Sequence, residues 1–283
     1  MLDIPIPVRG NVDNHLDRGG QADPHGASIR PGTTLFRGSP AFEPRTPWGP
    51  WWAAAAVVGI VGLSIAAGLL VAMFIRGGTL DLSGGKSTGS PSTEGLQFFG
   101  LWQLGTILLT LLASALLGGR LRNVLALRPA AGGWRSYAGA LLILAALQVA
   151  LSVVQYSTRD GDLYTDLRPF VELAKGKDWA LAAAVIGIGA PLSEELLFRG
   201  FLLSALAQTR LGFWGAAVVS SGVWTSLHAG YSAAGIFEVF IIGLFFSWLL
   251  WRTGSLRVPI FCHAVYNSLI VLALRFVDLP SPG

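Results

Sequence analysis

The sequence contains few charged residues. Only 13% of its 283 residues are Asp, Glu, Lys or Arg, whereas 52% are hydrophobic. Soluble domains carry about 25% charged residues, and half that share leaves too little polar surface to cover a globule in water. The composition therefore argues against a soluble protein and predicts one that lies largely in lipid.

Cysteine is almost absent as well. The single cysteine, Cys262, excludes a disulfide framework within the chain. The net charge of +4 would suit nucleic acid, but the basic residues lie at the ends of apolar blocks and form no common patch. That placement is the one that orientation in a membrane requires. We therefore expect a lipid bilayer around the chain and no nucleic-acid partner.

The apolar residues form long blocks, several of them near the roughly 20 residues that a helix needs to cross a bilayer. These blocks predict an all-α fold, a polytopic transmembrane helix bundle of about seven spans, with six or eight as alternatives. The predicted spans are residues 51–75, 98–117, 138–154, 181–206, 213–227, 233–251 and 259–274.

The chain divides into three predicted parts. Residues 1–50 are rich in Pro, Gly, Asp and Arg and are typical of a disordered tail. Residues 51–179 would form the N-terminal transmembrane helices and their loops, including a short interfacial helix around residues 170–174. Residues 180–275 would form the functional core. A cleaved signal peptide is not expected, because the first apolar block starts at Trp51 and is too long.

The basic residues indicate the orientation of the chain. The loop 119–137 contains four arginines and no acidic residue, and such loops are typically cytoplasmic. We therefore expect a multi-pass protein of the cell membrane with a cytoplasmic N-terminus.

Three ionisable residues interrupt the fourth predicted span, where charges are costly and usually functional. Glu195 and Arg199 are four residues apart, the spacing of an ion pair on one helix face. Glu194 lies about 100° around the helix from Glu195 and needs another partner. Pro191 removes a backbone donor, so the helix is expected to bend or break there beside a cavity.

Two histidines also lie in apolar blocks. Glu194 and His228 are both roughly 21–24 Å along their helices from the turn near residues 208–212, so antiparallel packing would bring them to one level. His263 and Asn267 are four apart and share a helix face. The depth of His263 fits less well and requires a tilted helix or a deep loop.

Three short motifs carry a resemblance to a known family. They are Glu194-Glu195-x-x-x-Arg199, Trp224-x-x-x-His228 and His263-x-x-x-Asn267. Together, over about residues 180–270, they resemble the signature of the CAAX prenyl protease 2/Abi family, whose bacterial members are called CPBP intramembrane proteases. The family usually has Phe at the position of Trp224. Glu238, in the sixth predicted span, matches no motif.

The resemblance implies hydrolysis of a peptide bond in a membrane-associated protein or peptide. By that analogy Glu194 and His228 would activate water, and His263 and Asn267 would stabilise the oxyanion. A carboxylate in a low-dielectric site can act as a general base, and donors aimed at an oxyanion typically contribute about two to three powers of ten in rate. The supporting residues would be Glu195, Arg199 and Trp224.

Cofactor use stays open at the level of sequence. Two histidines and a glutamate resemble a catalytic zinc site with one position left for water, which would comprise Glu194, His228 and His263. Asparagine is a poor zinc ligand, and the family has been described both as metalloproteases and as glutamate proteases. We favour a site that works with activated water alone and keep one zinc ion as the alternative.

Other functions are also compatible with these residues. The charged cluster could be a structural ion-pair network, and the protein a non-catalytic bacteriocin-immunity or scaffold protein. Intramembrane Glu and His could also relay protons in a transporter, although the two halves of the chain lack the matching broken helices that are typical of transporter repeats.

Overall fold

The computed structural model describes residues 35–75, 93–118, 120–158 and 164–279. Within these ranges the secondary structure is helical, without strands, which confirms the predicted all-α fold. Most of the predicted tail and most of the polar loop around residues 77–97 lie outside the described residues. The helices are α1 (Pro50–Ile75), α2 (Thr93–Gly118), α3 (Leu121–Val124), α4 (Trp134–Thr158), α5 (Arg168–Lys175), α6 (Trp179–Leu206), α7 (Gly212–Ser226), α8 (Ala233–Thr253) and α9 (Arg257–Phe276).

Six of the described helices are long and apolar enough to cross a membrane: α1, α2, α4, α6, α8 and α9. The predicted fifth span is present as α7, but at 15 residues it is shorter than a typical span. Helix α7 still joins the two ends of the bundle. Phe213 at its start packs on Phe42 at one end, and Ser232 beyond its end is hydrogen bonded to Asp166 at the other.

Helix α6 is the centre of the bundle. In its apolar stretch 56% of the residues are buried in protein, against 17% in that of α4 and 22% in those of α1 and α2. The outer helices expose large apolar side chains such as Val58, Leu142 and Val149. An apolar surface on every side is expected of helices surrounded by lipid. The residues that face other helices and not lipid are therefore concentrated around α6.

The loop 119–137, which is predicted to be cytoplasmic, lies at the same end of the bundle as the loop before α9 and the turn after α6. Arg257 donates from Nε to the carbonyl of Leu127 at 3.1 Å, and the Ser255 hydroxyl donates to the carbonyl of Arg128. Gln208, in the turn after α6, donates to the carbonyl of Thr46 at 2.9 Å. Their common location agrees with the expected topology, and the membrane side on which this end lies stays a prediction.

Residues 35–49, the last part of the predicted tail, pack against the body of the protein. Arg252 donates to the carbonyls of Leu35 and Gly38 at 2.8 and 3.1 Å. Trp48 stacks on Phe201 with ring centroids 4.5 Å apart. The polar composition predicted a solvated chain, but a buried guanidinium and an aromatic face on the body bind this extended segment.

A buried loop between α8 and α9 accounts for the depth of the second histidine. Gly254 ends α8 with φ of 62° and donates to the carbonyl of Leu250, as in left-handed helix caps. A β-carbon at this position would collide with the carbonyl of Ala41. Leu256 is fully buried and donates to the carbonyl of Ala126 at 2.9 Å. Helix α9 therefore begins inside the protein, as expected if a deep loop sets the position of His263.

Candidate active site

Two segments of α6 are π-helical, Val185–Gly189 and Glu195–Leu203. Glu194 lies between the two segments, and Glu195 is the first residue of the second one. In a π-turn the carbonyl of Ile186 would pair with the amide five residues on, which is Pro191 and has no N–H. Asn267 on α9 donates to this carbonyl from Nδ2 at 3.0 Å. Pro191 thus leaves the α6 backbone open to a side chain from α9.

Glu194 is the partly accessible carboxylate of the site. Its side chain is 21% exposed and lies in the wall of a cavity between α6 and α2. Trp224 on α7 donates from Nε1 to Glu194 Oε2 at 2.7 Å. The indole therefore fixes the carboxylate at the edge of the cavity.

Glu195 and Arg199 form the ion pair that their spacing predicts. Arg199 NH1 lies 3.1 Å from Glu195 Oε1, and both side chains are completely buried. The Arg199 guanidinium also lies 4.3 Å from the ring centroid of Trp224, a cation–π distance. Removing one partner of a buried pair leaves an uncompensated charge and typically costs about 3–5 kcal/mol. This pair is therefore a rigid support under Glu194.

His263 connects the two glutamates. Its Nδ1 lies 3.1 Å from Glu195 Oε1, and its Nε2 lies 4.0 Å from Glu194 Oε2. A carboxylate oxygen accepts, so Nδ1 carries the hydrogen in this contact. The ring stacks on Phe246 with centroids 4.9 Å apart. His263 thus has one nitrogen bound and presents the other towards the accessible carboxylate.

His228 lies just beyond the last residue of α7, at the rim of the cluster. Its Nδ1 is 3.2 Å from the carbonyl of Trp224, and its ring packs edge-on against Trp224 with centroids 5.2 Å apart. Because a carbonyl only accepts, Nδ1 carries the hydrogen and the neutral ring keeps a lone pair on Nε2. Within the described chain no hydrogen bond or ion pair joins His228 to Glu194.

The structure thus brings Glu194, Glu195, Arg199, Trp224 and His263 into one connected cluster. His228 touches it through the Trp224 ring. Asn267 is bound to the α6 backbone at Ile186, about two turns before the glutamates, so only its other amide N–H remains for a substrate.

Tyr231 is a neighbour of the site that the motifs do not mark. It lies in the turn between α7 and α8, with its ring centroid 5.2 Å from that of His228. Burial and the nearby carboxylates of Glu194, Asp166 and Glu238 raise the pKa of Tyr231 to about 12. The phenol therefore keeps its proton at neutral pH. Its position three residues after His228 is the sequence signal that could have indicated it.

Glu238 belongs to a different polar cluster. It accepts hydrogen bonds from Gln148 at 2.9 Å and Gln155 at 2.7 Å, both on α4, and from Tyr266 on α9 at 3.3 Å. The two glutamines of α4, seven residues apart, are the sequence signal for this contact. Glu238 therefore joins α4 to the core.

The donor geometry gives no support to the zinc alternative. In the described part of the chain no three His, Cys, Asp or Glu side chains are grouped closely enough to hold a metal ion. Of the three expected ligands, Glu194 and His263 approach each other to 4.0 Å, whereas no hydrogen bond or ion pair in the described chain joins His228 to Glu194. The Nδ1 atom of each histidine is bound to a protein oxygen, which leaves Nε2 as its possible ligand atom. We derive no catalytic step through a metal.

Comparison with known proteins relates this part of the chain to a family. Residues 176–269 match the family described as type II CAAX prenyl endopeptidase Rce1-like. The resemblance seen in the motifs to the CPBP/Abi family is therefore confirmed for this segment of a multi-pass membrane protein.

Three bacterial relatives each match about a third of the chain. An uncharacterised 24.3 kDa protein of Escherichia coli is 32% identical over 34% of this chain and 45% of its own length. The Bacillus subtilis protein named "Putative membrane peptidase YdiL" is 30% identical over 32% of this chain and 36% of its own. The UPF0177 protein YxdF of Lactococcus lactis is 24% identical over 33% and 50%. The chain thus spans half or less of the length of these relatives. No solved structure matches the chain significantly.

Proposed function

We propose that the chain is an intramembrane endopeptidase that hydrolyses a peptide bond in a membrane-associated protein or peptide. The observation that carries this proposal is the Glu194 carboxylate. It is held at a cavity by Trp224 at 2.7 Å and has a histidine nitrogen 4.0 Å away, inside a bundle of apolar helices. The match to the Rce1-like family and the name of the Bacillus subtilis relative support the same class of reaction.

In the proposed mechanism Glu194 acts first as general base and then as general acid. It takes a proton from a water molecule whose oxygen attacks the carbonyl carbon of the substrate. When the tetrahedral intermediate collapses, the carboxylic acid returns that proton to the leaving amine nitrogen. The lone pair on Nε2 of His228 accepts a hydrogen bond from the same water and orients it.

The proposed oxyanion donors are His263 and Asn267. With Nδ1–H bound to Glu195, a His263 ring that carries a second hydrogen on Nε2 would donate it to the negative oxygen. Asn267 would donate from the amide hydrogen that the Ile186 carbonyl does not use. Glu195 and Arg199 hold His263 in place and do not touch the substrate.

The direct test is Glu194→Gln, which keeps the shape of the side chain and removes its charge. A general base typically contributes about 10²–10⁴ in rate, so we expect protease-dependent cleavage to fall at least about a hundredfold. The measurement is a mass-spectrometric comparison of protein termini in membranes of cells that produce wild type or variant at equal amounts.

Glu172→Gln is the matched control, because Glu172 is an exposed residue of α5 outside the membrane-spanning helices. It should leave the set of termini unchanged. Identical termini in wild type and Glu194→Gln would contradict the proposal and favour the scaffold, immunity or transport alternatives.

A further inference from the structure

The cavity beside Glu194 has a second wall, which is formed by α2. Glu194 and Ser193 on α6 face Trp102, Gln103 and Thr106 on α2 across this space. Helix α2 lies outside the segment that matches the Rce1-like family. Its polar side chains therefore form a wall of the cavity that the matched segment does not include.

Gln103 is a buried polar side chain without a partner. The residue is only 5% exposed, and within the described chain neither its amide nitrogen nor its amide oxygen has a hydrogen-bond partner. The indole N–H of the adjacent Trp102 is buried and unpartnered in the same way. Buried amides and indoles are nearly always hydrogen bonded, because the unpaired state is costly, so these groups call for an explanation.

The backbone of α6 is shaped to accept Gln103. A β-carbon added at Gly189 would collide with Gln103 Oε1. Glycine at this position therefore lets the amide lie directly against the helix, about one turn before Glu194. Gln103 is thus held by close packing at the wall of a small cavity of about 30 Å³, and its amide atoms are covered and unpartnered in this state. A substrate would reach them only where α2 and α6 separate.

We propose that Gln103, together with Trp102, binds the backbone of the peptide substrate and positions it beside Glu194. An amide side chain offers one acceptor and donors, the complement of a peptide group, and the indole N–H adds a donor for a second carbonyl. This inference rests on the proposed peptidase function. It adds that a substrate-positioning site lies on α2.

The chemistry of the cavity also defines the class of substrate. Phe99, Leu197 and Leu227 contribute apolar walls, which suit apolar side chains. A membrane-embedded peptide must be locally extended to expose a bond to attack, and its freed backbone groups then need partners in a dry environment. The favoured substrate is therefore an apolar segment that unwinds from a helix, with Gln103 and Trp102 satisfying the freed groups.

The test uses Gln103→Met, which is similar in size and unbranched but cannot form these hydrogen bonds, and Trp102→Phe, which keeps a ring and removes the N–H. The substrate is a fluorescence-quenched peptide copied from a terminus that Glu194→Gln abolishes. Loss of one or two hydrogen bonds to substrate predicts a kcat/KM about tenfold lower, carried mainly by a higher KM. Gln97→Met, at an exposed position of the same helix, should behave as wild type.

Thermal unfolding in detergent separates binding from a structural role. Replacing an unpartnered buried amide by an apolar side chain should leave Tm unchanged or raise it. A higher KM at an unchanged or higher Tm supports the inference. Two results would overturn the inference while Glu194→Gln remains inactive. One is a wild-type kcat/KM for both variants. The other is a lower Tm with activity lost only in proportion to the amount of folded protein. If no termini depend on Glu194, the proposed function fails first and the inference fails with it.

Discussion

Trp224 contacts both charged parts of the site. Its N–H binds Glu194 at 2.7 Å, and its ring faces the Arg199 guanidinium at 4.3 Å. The phenylalanine that is usual at this position in the family would keep a ring for Arg199 but has no hydrogen to donate. The orientation of the Glu194 carboxylate in this chain therefore depends on a residue-level departure from the motif.

Trp224→Phe isolates this hydrogen bond. The carboxylate would keep its charge and lose a donor that fixes it, so we expect kcat to fall about tenfold, in line with one hydrogen bond to a charged group, with little change in KM. The measurement is steady-state hydrolysis of the quenched peptide. Trp214→Phe, at a half-exposed position of the same helix, is the control and should match wild type. An unchanged kcat in Trp224→Phe would show that the N–H does not position the base.

Residue spacing predicted some contacts of the site and not others. The Glu195–Arg199 pair follows from the helical repeat because both residues lie on one element. The contacts of His263 with Glu195 and of Trp224 with Glu194 join residues 68 and 30 positions apart. Such pairs depend on the rotation and depth of separate helices, which spacing along the chain does not contain.

At the scale of the element, α6 and α9 pack without room between them. A β-carbon at Gly187 would lie 2.6 Å from Ser268 Oγ and 3.3 Å from its Cα. The same close approach lets Asn267 reach the Ile186 carbonyl that Pro191 leaves without its amide partner. The carbonyl that Pro191 leaves without an amide partner is thus a contact point between α6 and α9.

Gly187→Ala should force this contact apart. Overpacking of a tight contact typically costs about 1–3 kcal/mol, so we expect lower Tm in detergent and lower peptidase activity, because His263 and Asn267 move with α9. Gly222→Ala on α7 is the matched control, since a β-carbon there meets open space and alanine is the better helix former. Equal Tm values for the two alanine variants would contradict the close-packed contact.

At the scale of the whole molecule, residues 35–49 close the end of the bundle that carries the basic loops. Arg252, near the end of α8, binds backbone carbonyls of this segment. Gln208, after α6, binds it through Thr46. The segment thus contacts elements that lie more than 150 residues further along the chain. It also covers the buried loop from which α9 begins.

Arg252→Met should release this segment. Hydrogen bonds to a charged group are worth about 1.5–3 kcal/mol each, so we expect trypsin to cleave after Arg37 at least about tenfold faster. The measurement is limited proteolysis in detergent, followed by mass spectrometry of the N-terminal fragments. Arg210→Met, at an exposed turn of the same end, should keep the wild-type rate. Equal cleavage rates in all three proteins would contradict the role of Arg252.

Local properties of the sequence determined much about this protein. Low charge and long apolar blocks determined a helical membrane protein, spacing determined the Glu195–Arg199 pair, and three motifs determined the Rce1-like segment. These features depend on hydropathy and on the helical repeat, which act over a few turns.

Only the tertiary structure decided which side chains meet. It brought His263 closer to Glu194 than the other histidine of the described chain. It did so because α9, which carries His263, begins from a buried loop. It also ordered residues 35–49 against Arg252 and placed Gln103 of α2 in the wall of the cavity. The physical reason is that contacts between helices depend on their depth, rotation and π-helical segments, which the packing of the whole bundle sets.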